Sequence, residues 1–163
     1  MNATLRQQRP LSPARLARVA GAIAASPALW RPLVRFRAER RWYCRLDQPG
    51  PGPACELWLL SWLPGQQTGF HDHGDAAGAF AVADGELLER TARAGRREVG
   101  SRLLGPGSVR SFGPAYLHDV GSAGDRPAVS VHAYSPALSL MRRYEMTGSG
   151  LVLAGAESAA SGW

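Results

Sequence analysis

No lysine occurs anywhere in the 163 residues, so all 19 positive side chains are arginines. Against 13 acidic residues they leave a formal charge of +6 and a pI near 10.3, which makes nucleic acid the first partner to weigh. The arginines are scattered rather than gathered into a stripe. Their densest groups, Arg35, Arg37, Arg40 and Arg41, then Arg90, Arg93, Arg96 and Arg97, lack the aromatic pattern of a single-strand binder. Lysine-free sequence rich in Ala, Gly and Pro reads as compositional bias, and no nucleic-acid partner is expected. Cysteine is almost as scarce. Cys44 and Cys55 form neither a CxxC pair nor a disulfide framework. No secretory apolar region and no span of about 20 apolar residues is present, so neither a membrane partner nor an oxidising compartment is expected, and a cytoplasmic monomer is the default. Repeats are also absent. With 45% hydrophobic and 20% charged residues, wholesale disorder and a coiled coil are excluded, and the length suits one domain with room for a small pocket.

Two textures divide the chain. In SPARLARVAGAIAASPALW, Ser12 and Pro13 give a helix start, and Leu16, Val19, Ala20 and Ile23 recur at helical spacing up to the break at Ser26 and Pro27. A second short helix is expected from Pro32 to Arg40, so that residues 1–40 form an amphipathic cap on a sheet. From Arg41 onward short apolar runs such as ELWLLSWL, GAFAVADGELLER and AVSVHAYSP are separated by Gly and Pro. That is the signature of an all-β barrel or sandwich, here residues 41–147, with Trp58 and Trp62 as packing residues of a core strand. Residues 47–54 (DQPGPGPA) read as a turn, and residues 148–163 as a flexible, small-residue tail.

Side chains two apart on a strand share a face. Three groups place polar side chains where a core would take Val or Leu: Tyr43 with Arg45, His71 with His73, and Ser130 with His132 and Tyr134. A barrel carrying them inside has a polar pocket. A lone histidine on a strand is usually a hydrogen-bonded structural residue. A pair in FHDHG, preceded by WLPGQQTG and followed forty-five residues after His73 by His118 behind the Gly/Pro-rich turn of GPGSVRSFGPAYLHDV, is instead spaced to bring three imidazoles to one ion. This order follows the two metal motifs of the cupin barrel. The glutamate usual in the first motif falls at Gly78, so three neutral imidazoles would leave a divalent ion uncompensated and favour an anionic, chelating substrate such as a thiolate. A competing triad is His73, Asp75 and His118, two histidines and one carboxylate, which leaves His71 idle.

WYCRL, WLPGQQTGFHDHG, the turn leading to His118 and SVHAYSP, in that order across residues 41–145, resemble the cysteine dioxygenase family of the cupin superfamily. The resemblance implies a cupin-type β-barrel (jelly roll) with short N-terminal helices packed on it, and one Fe(II) per chain held by His71, His73 and His118. It implies Arg45 on the substrate carboxylate and Tyr134 near the iron, set by the Ser130, His132, Tyr134 line. Tyr43 then either orients substrate or fills the pocket wall, and Met141 either lines the amine side of the pocket or fills the core. The expected activity is Fe(II)- and O2-dependent oxidation of the L-cysteine thiol to cysteine sulfinate. A 3-mercaptopropionate dioxygenase, whose branch carries Gln where this chain has Arg45, is the near alternative, and a non-enzymatic metal- or ligand-binding cupin the remote one. In the mammalian branch a cysteine crosslinks to the active-site tyrosine; its position here is Gly78, so Tyr134 is expected to be unmodified.

Overall fold

A computed structural model describes residues 9–46 and 55–158. Helix α1 (Pro13–Ala24) starts where the sequence sets it: Pro13 occupies the first turn and the Ser12 hydroxyl accepts from the Arg15 backbone N–H. Leu16, Ala20 and Ala24 form its buried stripe. The second helix differs from expectation. Helix α2 spans Pro27–Trp30, and residues 32–40 are not helical. Trp30 is buried and donates its indole N–H to the Ala24 carbonyl at 3.1 Å, which folds the chain back on α1, and Pro32 then has no N–H to continue the helix. Leu33 and Phe36 stay exposed, so this stretch has no apolar face to bury as a helix. Instead it is laced to the barrel end by the Ser61 hydroxyl, which donates to the Arg35 carbonyl, and by the Gln66 amide, which donates to the Arg37 carbonyl at 2.8 Å.

Among the described residues eleven strands follow, in two sheets. The first, in spatial order, holds β1 (Trp42–Arg45), β2 (Glu56–Trp62), β9 (Ala128–Ser135), β4 (Ala77–Asp84) and β7 (Val109–Phe112). The second holds β11 (Gly150–Ser158), β10 (Leu140–Thr147), β3 (His71–Asp72), β8 (Leu117–Ser122), β5 (Leu87–Ala92) and β6 (Gly100–Leu104). Every pairing is antiparallel. This is the all-β, two-sheet barrel with short helices on it that the sequence predicts.

Alternation along the strands splits the apolar residues into two cores. Leu57 and Leu59 of β2, Ala77, Ala79 and Ala81 of β4, and Val129, Val131 and Ala133 of β9 face outward and pack under Leu16, Ala20 and Ala24 of α1. The small alanines let the helix lie close on the sheet, and the fully buried Leu16 side chain contributes about 1.5–3 kcal/mol there. The opposite faces, with Leu60, Trp62, Phe80, Val82 and Tyr134, meet Leu87, Val120 and Met141 of the second sheet inside the barrel. Trp62 is a core residue as expected, and Trp58 packs against the same cluster.

The stretch predicted to be a tail beyond residue 147 instead carries β11, hairpin partner of β10 through Ser158. Its small residues hid one anchor. Leu151 is buried, and its backbone N–H donates to the Arg96 carbonyl while its carbonyl accepts from Gly95. Gly150, at φ +113° with the Arg96 backbone 3.0 Å from where a Cβ would sit, permits that approach. The predicted turn at 47–54 and the end of the chain after Ser158 lie outside the described residues. No helix among the described residues is long and apolar enough to cross a membrane.

Candidate metal centre

His71 opens the two-residue strand β3 and sits directly across the ladder from His118 of β8; His73 follows two residues later, on the same side of the chain. Gly74 at φ +57° turns the chain immediately afterwards, and the Asp72 carboxylate fixes that turn by accepting from the Gly74 N–H at 2.9 Å. Asp72 itself faces away from the imidazoles and is held by Arg142 at 3.1 Å and the Tyr144 hydroxyl at 2.8 Å.

The three imidazoles converge. Ring centroids lie 4.8 Å apart for His71 with His73, 4.8 Å for His71 with His118 and 5.2 Å for His73 with His118, and one nitrogen from each falls within 4.8 Å of the others. All three side chains are buried. His71 Nδ1 faces the Gly69 carbonyl at 2.9 Å and His118 Nδ1 faces Glu89 Oε1 at 3.0 Å, so each turns its Nε2 toward the common centre. His73 has both ring nitrogens buried with no hydrogen-bond partner among the described residues. A buried polar group without a partner is costly, and a metal ion in the triad would supply the one it lacks. Burial, reinforced by the neighbouring imidazoles, pushes His71 and His73 well below the ordinary histidine range, so both present neutral, ligating rings. The residues present therefore fit a divalent ion with three nitrogen donors. Asp75 is exposed and takes no part, which leaves the triad of His73, Asp75 and His118 without support.

Gly78 lies on β4 beside the centre. A Cβ built there would meet the Phe112 ring at 2.4 Å and Tyr134 at 3.0 Å, so Phe112 occupies the space a carboxylate side chain would need and stacks on His73 at 5.0 Å. The carboxylate missing from that position reappears behind His118, where sequence reasoning did not place it. Glu89 of β5 is 1% exposed, bonds His118 Nδ1, and accepts from Arg110 Nε at 2.7 Å and from the Tyr116 hydroxyl at 3.1 Å. Burial alone would raise its carboxyl, but the bonds from His118 and Arg110 outweigh it and hold Glu89 below its ordinary value, as an anion. The signal was a glutamate two residues from Leu87 on an inward face; its partner, across the neighbouring strand, is not visible in sequence.

The second predicted line is continuous inside the barrel. The Trp62 indole N–H donates to Ser130 Oγ at 2.9 Å, Ser130 Oγ lies 2.9 Å from His132 Nε2, and His132 Nδ1 lies 3.2 Å from the Tyr134 hydroxyl. The Tyr134 ring is 5.0 Å from that of His73. Burial pushes His132 down to about 3 and the Tyr134 phenol well up, so the first is neutral and the second keeps its proton. Met141 is buried in the same interior cluster, and Tyr43 packs against it from β1, edge-on to Trp58 at 5.9 Å. Arg45 lies further out. Its side chain is 63% exposed and pairs with Glu56 at 3.4 Å.

Fold and site together define a cupin-type barrel whose buried histidine triad could hold a metal ion. A family model described as cysteine dioxygenase type I matches residues 5–147, most of the chain, and the chain belongs to that family of thiol dioxygenases. No curated protein matches it in sequence. Among solved structures, a Thermus thermophilus protein is 21% identical with a TM-score of 0.55, covering 66% of this chain and 93% of its own. A Klebsiella pneumoniae protein with a double-stranded β-helix domain is 18% identical at a TM-score of 0.53, covering 77% and 93%. A cupin superfamily protein from Desulfitobacterium hafniense is 13% identical at 0.50, covering 64% and 85%. At these identities they share the fold.

Proposed function

We propose that this protein is a cysteine dioxygenase, oxidising the thiol of L-cysteine to cysteine sulfinate with O2 and one Fe(II) held by His71, His73 and His118. The observation that carries the reading is the buried triad, with His73 lacking any other partner for its ring nitrogens among the described residues. In the net reaction a thiolate and O2 become a sulfinate: both oxygen atoms end on sulfur, which loses the four electrons that O2 gains. Iron, when bound, supplies the redox chemistry that lets O2 react with a thiolate, and an open site with histidine donors suits it.

The chain supplies orientation and protons. Because Trp62 donates to Ser130, the serine hydroxyl is set to give its own proton to His132 Nε2; the neutral ring then carries its proton on Nδ1, facing the Tyr134 oxygen. That order leaves the Tyr134 proton to be donated toward the pocket, where it steadies negative charge on the substrate. Glu89 orients His118 and places one negative charge close to the ion, partly offsetting its charge where Gly78 supplies none. Tyr43 and Met141 wall the pocket, and Arg45, released from Glu56, offers a guanidinium to the substrate carboxylate.

Metal analysis of freshly purified protein and oxygen uptake with a thiol panel test this directly. About one iron per chain, lost in His118→Ala, and a higher kcat/KM for L-cysteine than for 3-mercaptopropionate or cysteamine are expected. Preference for 3-mercaptopropionate would move the assignment to the sister activity, and no oxygen uptake with any thiol would refute it.

A further inference from the structure

A cleft of about 640 Å³, within the size range of small-molecule sites, lies between the loop that joins β5 to β6 and the segment that leads into β8. Arg93, Arg96 and Glu98 line it from the loop, and Ala115, Tyr116 and Leu117 from the segment. The three charged side chains are exposed, and among the described residues none takes part in an ion pair, whereas nearby Arg90 and Arg110 have Asp119 and Glu89. The loop itself is pinned. Gly95 donates to the Leu151 carbonyl at 2.8 Å, Leu151 donates back to the Arg96 carbonyl at 3.0 Å, and the Arg96 N–H donates to the Arg93 carbonyl at 3.0 Å. β11 thus fixes the backbone under both arginines, so that a ligand has only their side chains left to order. On the other wall Ala115 holds a φ of +61°, a conformation that non-glycine residues adopt rarely and that concentrates at binding sites.

An arginine fork takes a carboxylate or a sulfinate, and a carboxylate such as Glu98 takes an ammonium. Two cations and one anion around one cleft complement a molecule with two acidic groups and one ammonium. We propose that this cleft binds an acidic α-amino acid, its short stem against Ala115 and the Tyr116 ring. The site goes beyond the dioxygenase reading, and only one of its two sources rests on that reading: cysteine sulfinate, the product, belongs to this class, as does aspartate. Occupancy is felt at the metal centre. The Tyr116 hydroxyl donates to Glu89 Oε1 at 3.1 Å, Glu89 bonds His118 Nδ1, and the Tyr116 ring lies parallel to Phe112 at 4.9 Å, which stacks in turn on His73. A ligand that steadies Tyr116 steadies the carboxylate behind His118, so it tightens Fe(II) binding, and by linkage iron tightens the amino acid by the same factor.

Calorimetric titration of the iron-loaded protein under argon with L-aspartate, L-cysteine sulfinate, succinate and L-alanine tests the site. Succinate lacks the ammonium and L-alanine the second acidic group. At least one of the two acidic amino acids should bind about tenfold or more tighter than L-alanine, and more tightly than succinate. Whichever of the pair binds better is the source. Arg96→Met should weaken that ligand about tenfold, and Glu98→Gln should erase its advantage over succinate, both at unchanged iron content because these loop side chains are exposed. No binding, equal binding of all four compounds, or binding unaltered in Arg96→Met, which would place it elsewhere in the barrel, refutes the site. Competition for Fe(II) against a chelator, with and without saturating amino acid, should show iron held about twofold or more tighter in the wild type and no shift in Tyr116→Phe, which keeps the ring and loses the hydroxyl. No shift in the wild type, or an equal one in the variant, overturns the link to His118. Absence of thiol-dependent oxygen uptake would sink the dioxygenase reading and leave L-aspartate binding standing, whereas oxygen uptake without amino-acid binding would do the reverse.

Discussion

Replacing Glu89 by Gln keeps the size of a buried side chain and removes its charge, which isolates what that charge does for His118. In the structure His118 Nδ1 meets Glu89 Oε1 at 3.0 Å, and Arg110 and Tyr116 hold the carboxylate in place. A hydrogen bond to a charged group contributes about 1.5–3 kcal/mol, a neutral one about 0.5–1.5, so the substitution weakens the hold on His118 by roughly 1 to 1.5 kcal/mol. That is about tenfold in iron affinity, at the lower end of the 10- to 100-fold typical for outer partners of metal-ligating histidines. The variant also leaves Arg110 without its anion, so a fall in stability is expected too, and affinity must be read on folded protein. Competition for Fe(II) against a chelator of known affinity, at a temperature well below the melting point of both proteins, measures it. An unchanged iron dissociation constant in folded Glu89→Gln would show that His118 needs no charged partner, and the offsetting role given to Glu89 would fall.

Tyr134→Phe removes the hydroxyl at the end of the hydrogen-bonded line and should lower kcat about 10- to 100-fold while iron content stays at the wild-type level; unchanged turnover would remove Tyr134 from the chemistry. Metal-free protein should lose stability as pH falls. His132 is held at about 3 when folded but takes a proton near 6.5 when unfolded, so between those values the unfolded chain binds more protons, at up to about 1.4 kcal/mol per pH unit. Urea midpoints of the apo protein at pH 7 and pH 5 check this, and equal midpoints would contradict it. Gly78→Ala should cost about 1–3 kcal/mol in chemical denaturation, because its methyl would meet the Phe112 ring at 2.4 Å; a neutral effect would mean that Phe112 moves aside freely. Intact mass after aerobic turnover should show no loss of two hydrogens, since Cys44 and Cys55 pack in the outer core beneath α1 while Tyr134 faces the barrel interior; a peptide linking Tyr134 to either cysteine would contradict that placement.

The sequence by itself determined most of the elements and the three candidate ligands. Period-two alternation puts His71 with His73, and Ser130 with His132 and Tyr134, on one face whatever the rest of the chain does, and the Gly/Pro punctuation from Arg41 onward permits little but short antiparallel strands. Ser12 and Pro13 start α1 by capping chemistry that is local. What local rules could not reach was set by packing across strands distant in sequence. Residues 32–40 lose their helix because Trp30 folds back on α1 and the barrel end binds the Arg35 and Arg37 carbonyls. Small residues after 147 become a strand because Leu151 finds a buried site against residues 95–96. Glu89 reaches His118 only once β5 and β8 are paired, and Arg41 is a buried cation rather than one more surface arginine only because the chain carries it over the Trp62 ring. A residue's face follows from the backbone period, but the group opposite it, and so its charge, proton and partner, is decided by which strands the folded barrel brings together.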